Sequence, residues 1–133
     1  MSDPRCLDDF LGTWHITRQI THAGAPEANF DGQGVWTPSP DGALYEERGT
    51  LTMPGAQPMQ AERRYLWRGL DVYFDDGRFF HTVPPMGGDT DHWCDPDSYR
   101  VHYAFDQWPT FTASWQVTGP RKDYTMRSTY TRV

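Results

Sequence analysis

From Trp14 onward the chain is written almost entirely in period two. Trp14, Ile16, Arg18 and Ile20 alternate with Thr13, His15, Thr17 and Gln19; Phe111, Ala113, Trp115 and Val117 alternate with Thr112, Ser114, Gln116 and Thr118. Successive side chains of an extended strand point to opposite faces, so each run reads as a strand with one face in and one face out. Tyr99, Val101, Tyr103 and Phe105 repeat the pattern, as do Tyr124, Met126, Ser128 and Tyr130. Helical spacing is confined to Cys6–Leu11, a short turn ahead of the first strand.

Turn signals punctuate these runs. A break rich in small residues covers Ala23–Asn29, and a second strand, Gly32–Thr37, is closed by Pro38, Pro40 and Asp41-Gly42. Strands follow at Leu44–Thr52, Met59–Arg68, Asp71–Phe74 and, past the Asp76-Gly77 hairpin signal, Arg78–Val83. A loop starting at Pro84-Pro85 runs to about Thr90, with a short strand at His92–Cys94. Gly119-Pro120 turns the chain into its last strand, Asp123–Arg132.

A core for these strands must be built from rings. The chain has 7 Phe, 7 Tyr and 6 Trp but only fourteen Leu, Ile and Val, and its 12 Gly and 11 Pro leave little room for long helices. Nine or ten strands joined by tight turns form a meander, and closure best protects its edges. We therefore expect an all-β fold: a single domain over 1–133, folded as a closed antiparallel meander barrel of about 8–10 strands. Such a barrel is wide enough inside for side chains and one small ligand.

Charge narrows the partners. Eighteen acids against twelve bases give a formal charge of −6, which offers no basic footprint for nucleic acid or an anionic membrane. Asp3, Asp8 and Asp9 stand where a signal peptide would need a basic start, and Cys6 and Cys94 do not make a disulfide framework. The expected setting is cytoplasmic and reduced, with the protein a monomer or homodimer.

Leu11-Gly12-Thr13-Trp14 after a helical turn resembles the Gly-x-Trp opening of the calycin barrels, lipocalins and avidins among them. That resemblance implies a Trp14 plug at one barrel end under a late-strand arginine, for which Arg127 and Arg132 are candidates. Taken whole, the chain resembles a family of small uncharacterised bacterial calycin-like (lipocalin-like) barrel proteins. The resembling pieces are this LGTW motif, Tyr45–Gly49, Asp76–His81, His92–Cys94 and the GPRKDY motif of Gly119–Tyr124 with Tyr130. The resemblance implies the fold and brings no activity with it.

Three constellations carry chemistry. First, Arg18, Glu47 and Arg63 lie on faces otherwise lined by rings, where a charge is costly unless paired or solvated. They mark either a wet cavity for an anionic or aromatic ligand, or an internal Arg–Glu pair, or an end-capping arginine stacked on Trp14. The expected ligand-binding set is Arg18, Glu47, Arg63, Tyr65, Trp67, His81, Tyr103 and Trp115. Second, His81, His92 and Cys94 are metal-competent types, with Asp91, Asp95 and Asp97 nearby, but a four-ligand set is missing. No metal or cofactor is expected, and His81 is expected to point inward and hydrogen-bond a tyrosine, near the barrel mouth. Third, His81, Tyr99 and Tyr124 are the candidate catalytic residues for acid/base work, with Tyr103 and Asp97 beside them. Glu46 and Glu47 are adjacent and so face opposite ways; Lys122, in a turn, is expected to be solvated. The function expected is binding of a small molecule inside the barrel. The alternative is an isomerase, cyclase or lyase using the same pocket.

Overall fold

The computed structural model describes residues 3–133. One helical turn, α1 (Leu7–Phe10), precedes ten strands: β1 (Gly12–His22), β2 (Ala28–Ser39), β3 (Gly42–Thr52), β4 (Met59–Arg68), β5 (Asp71–Phe74), β6 (Phe79–Thr82), β7 (Gly88–Cys94), β8 (Asp97–Ala104), β9 (Phe111–Gly119) and β10 (Lys122–Arg132). They form one sheet in the order β6-β5-β4-β3-β2-β1-β10-β9-β8-β7. Every ladder is antiparallel and joins sequence neighbours, except that β1 pairs with β10 along Trp14–His22. The result is the expected all-β, lipocalin-like meander barrel with a short N-terminal turn.

Closure is where the expectation needs correcting, because the barrel is nearly closed rather than closed. The two sheet edges, β6 and β7, meet through side chains with no ladder between them. Phe79 and Phe80 each lie 5.9 Å from the His92 ring, and Arg78 Nη1 reaches Cys94 Sγ at 3.6 Å. Strand β6 is only four residues long and soon enters Pro84-Pro85, which have no N–H to donate. Two strand limits also differ from the sequence reading. Strand β2 starts at Ala28 and runs past Pro38, because Ala28–Ile20 and Pro38–Ala43 are held in register by neighbours. Strand β7 extends back to Gly88 against Tyr103, so a glycine-rich segment read as loop is recruited by the ladder of β8.

The end of the barrel at the start of β1 is plugged by rings. Phe10 of α1 is fully buried, 5.3–5.6 Å from Trp36, Trp67, Trp108 and Phe111. Trp14, also fully buried, donates its indole N–H to the Phe10 carbonyl at 2.8 Å. The arginine implied by the Gly-x-Trp resemblance is Arg132. Its guanidinium sits 4.1 Å from the Trp14 ring and donates to the Leu11 and Asp9 carbonyls at 2.7 and 2.6 Å. These bonds satisfy carbonyls that a one-turn helix leaves free. Arg127 is exposed. Among the described residues no helix is long and apolar enough to cross a membrane, and both cysteines are free thiols.

Candidate functional site

The barrel interior carries a buried ion pair. Arg18 enters from β1 and Glu47 from β3, each at an inward position of its alternation. Arg18 Nη1 and Nη2 donate to the two Glu47 oxygens at 2.5 and 3.0 Å, a bidentate pair, and Arg18 Nε donates to Ser128 Oγ at 2.6 Å. Tyr45 Oη donates to Glu47 Oε1 at 2.6 Å and lies 3.3 Å from Tyr130 Oη. The Tyr45 hydroxyl has room because β2 carries Gly34 beneath it, where a Cβ would stand 2.9 Å from that oxygen. Burial alone would raise the Glu47 carboxyl, but the bonds and charge of Arg18 hold it below the usual carboxylate range. Burial likewise opposes the Arg18 charge, and the Glu47 bond and charge outweigh it, so Arg18 is firmly protonated. The alternative of an internal Arg–Glu pair is thus present in the structure.

All eight residues expected to bind ligand line one interior cavity: Arg18, Glu47, Arg63, Tyr65, Trp67, His81, Tyr103 and Trp115. Its free space is about 40 Å³, enough for a few waters or a small polar group. Arg63, Tyr65 and Trp115 are half-buried, whereas Trp36, Trp67 and Tyr103 toward α1 are buried. The cavity therefore opens away from the helical plug. Arg63 projects from β4 with its guanidinium 5.7 Å from the Trp115 ring and Nη2 3.6 Å from Met126 Sδ. Among the described residues it makes no salt bridge, unlike Arg18, although its charge acts on Glu47 and on the Tyr65 hydroxyl from a distance.

His81 lies deeper than the sequence reading put it. It is 2% exposed, pairs in register with Val72 and sits toward the α1 end, not at the mouth. The reason is a bulge. The β5–β6 register shifts between Val72 and Tyr73, so Phe80 and His81, consecutive in sequence, are both buried. Their rings are 4.3 Å apart and nearly perpendicular. As expected, His81 hydrogen-bonds a tyrosine, with Nε2 2.8 Å from Tyr103 Oη. Burial, with a smaller contribution from His92, lowers its pKa to about 3. Burial also pushes Tyr103 and Tyr45 well above the usual phenol range.

The catalytic candidates are not brought together. Tyr99 and Tyr124 stand near the opposite end, outside the cavity lining. Lys122 Nζ donates to Tyr99 Oη at 3.4 Å and pairs with Asp97 at 2.8 Å, while Tyr124 packs its ring 5.4 Å from His22. Lys122 is ion-paired rather than simply solvated, and the Asp97 bond pushes its pKa up to about 12. Of the metal-competent trio, His81 is occupied by Tyr103, while His92 packs on Phe79 and Phe80 across the seam. Cys94 contacts Arg78. No group of three or more His, Cys, Asp or Glu side chains among the described residues is arranged to hold a metal ion.

Sequence reasoning missed Trp36, Tyr45, Val72, Phe80, Phe111, Ala113 and Tyr130 in the lining. The period-two faces held the signal for most of them: Tyr45 shares the face of Glu47, and Tyr130 that of Ser128. Phe80 had no such signal, since alternation turns it away from His81.

The barrel is similar to one solved structure, the S-type phycobiliprotein lyase CPES from Guillardia theta. The match has a TM-score of 0.62 at 10% sequence identity and covers 96% of this chain and 90% of that chain. No curated protein matches the chain. A family model described as a family of unknown function, DUF6314, matches residues 10–132, and the chain belongs to that family.

Proposed function

We propose that the barrel binds a small acidic molecule, with its carboxylate or other oxyanion on Arg63 between the rings of Tyr65 and Trp115. The observation that carries this reading is the contrast between the two interior arginines. Arg18 is neutralised within the fold by its bidentate pair with Glu47, whereas Arg63 borders the same cavity, half-buried, acts on Glu47 only from a distance and makes no salt bridge among the described residues. A guanidinium in such a place is a fork for charge-assisted hydrogen bonds to an anion.

Size restricts the ligand. Drug-sized ligands occupy about 300–1,000 Å³, and 40 Å³ accommodates far less. The resting cavity holds only a group of a few heavy atoms, and a whole carboxylic acid with a carbon chain or ring is admitted as the β6–β7 seam parts. The setting we propose is cytoplasmic, with a diffusible small molecule as partner rather than nucleic acid or a membrane, and with the protein a monomer or homodimer.

Catalysis in the same pocket has less support. A histidine held near pKa 3 is a poor proton carrier at neutral pH, and Tyr99 and Tyr124 lie apart from it. The test is calorimetric titration of wild type and Arg63→Met with benzoate and pentanoate. Saturable binding by wild type, weakened at least about tenfold in Arg63→Met as expected for a lost charge-assisted bond, supports the reading. No binding of either acid, or equal binding by the variant, defeats it.

A further inference from the structure

Two ring nitrogens, fully buried, on residues that line the cavity have no hydrogen-bond partner: Trp36 Nε1 and His81 Nδ1. Trp36 is 3% exposed and His81 2%, and both line the cavity that Arg63 borders. Buried polar groups without a partner are rare in folded proteins, and each calls for an explanation.

The chemistry of the His81 nitrogen follows from Tyr103. The buried Tyr103 hydroxyl has His81 Nε2 as its hydrogen-bond neighbour. If Nε2 carried the proton, the Tyr103 O–H would lack an acceptor and Nδ1 would lack a donor. If Tyr103 donates to Nε2, then Nδ1 carries the proton and only one group is left unmet. The neutral imidazole is the form that burial favours. Trp36 Nε1 is a donor in any case. The residues around the cavity therefore carry two buried N–H groups without a partner and a guanidinium without a salt bridge of its own, and the acid among them, Glu47, is already held by Arg18 and Tyr45. Such a lining suits a ligand that is an acceptor at both ends.

Register separates the two ends. Trp36 pairs with Tyr45 and through it with Tyr65, two residues along β4 from Arg63. His81 pairs with Val72 and through it with Trp67, four residues along. At about 3.4 Å per residue these levels lie roughly 7 and 14 Å from the Arg63 backbone, before the length of the arginine side chain is allowed for.

We infer that the deep end of the cavity is a carbonyl subsite, so the ligand is an oxo acid. Its acid group lies on Arg63, and a carbonyl oxygen several bonds away accepts from Trp36 Nε1–H, His81 Nδ1–H or both. This inference rests on the Arg63 reading and narrows it.

The probes are 4-oxopentanoate and pentanoate, which differ at one carbon by a carbonyl. In ¹⁵N-labelled protein the Trp36 indole signal, assigned by its loss in Trp36→Phe, should move as 4-oxopentanoate binds. Wild type should prefer 4-oxopentanoate by about fivefold or more, the worth of one hydrogen bond, and Trp36→Phe or His81→Phe should shrink that preference. The histidine nitrogen spectrum should show His81 protonated at Nδ1, a readout that needs no variant. Equal affinity of wild type for both acids overturns the subsite and leaves the Arg63 reading standing. So does an indole signal that stays put at saturation (water alone then meets the donors), or His81 protonated at Nε2. Failure of wild type to bind either acid overturns both.

Discussion

Glu47 and Arg63 are register partners on the neighbouring strands β3 and β4, yet the Glu47 carboxylate is held by Arg18, which reaches it from β1. A cross-strand pair would have cancelled the two charges at the wall. Instead the bidentate bond spans the interior, where it also orders Tyr45 and Ser128. Arg63 is left half-buried beside Trp115 without a salt bridge of its own among the described residues, its charge reaching Glu47 only from a distance.

Removing one partner of that ion pair should be far worse than removing both. Glu47→Gln leaves the Arg18 charge buried without its carboxylate and should cost about 3–5 kcal/mol in urea unfolding. Arg18→Met combined with Glu47→Met should lose much less than the two single changes added together. A single-variant loss under about 1 kcal/mol would mean that water reaches the pair.

Truncation of Trp14 and Trp93 separates the plug from the surface. Trp14 is fully buried, bonded to the Phe10 carbonyl and covered by Arg132, whereas Trp93 is 64% exposed. Trp14→Ala should cost about 3–5 kcal/mol, and Trp93→Ala should stay within about 0.5 kcal/mol. Equal losses would remove Trp14 from its role as the end plug.

Acid should weaken the fold through His81. Its folded pKa, lowered to about 3, lies below the ordinary 6.5, so the unfolded chain binds the proton first. The stability it contributes is complete above pH 6.5 and is lost as pH falls toward 3. Glu47, also held low, adds loss in the same direction below its ordinary 4.5. Denaturation midpoints between pH 7 and 4 should fall for wild type and fall less for His81→Phe. An imidazole signal of His81 titrating near 6.5 would contradict the burial argument.

The seam between β6 and β7 should open before the rest of the barrel. Each of these strands has a ladder on one side only, while β1 and β10 are paired on both. Amide exchange should therefore be faster in β6 and β7 than in β1, β2 and β10, since local opening follows unpaired backbone and sparse packing. Uniform protection around the barrel would show that the seam is not its weak point. It would also remove the route proposed for larger ligands.

Much of this molecule can be read from alternation and turn residues alone. Inward positions follow from period two once Trp14, Tyr99, Phe111 and Tyr130 mark one face, because a strand has only two faces to offer. That is why Arg18, Glu47, Arg63, Tyr65, Trp67, Tyr103 and Trp115 could be assigned to one interior before any strand was paired. The Gly-x-Trp opening likewise gave the plug and narrowed its arginine to two candidates, leaving tertiary contact with α1 to choose Arg132. Three things needed the folded chain. Which arginine takes Glu47 depends on reach across the barrel, and the register partner, Arg63, was the wrong one. The depth of His81 depends on a bulge against β5, which breaks the two-residue rule that sequence reading relies on. The position of the seam depends on which strands find ladders. The termini meet through β1 and β10, so the gap falls between β6 and β7, where a short strand and two prolines supply too few backbone donors to close it.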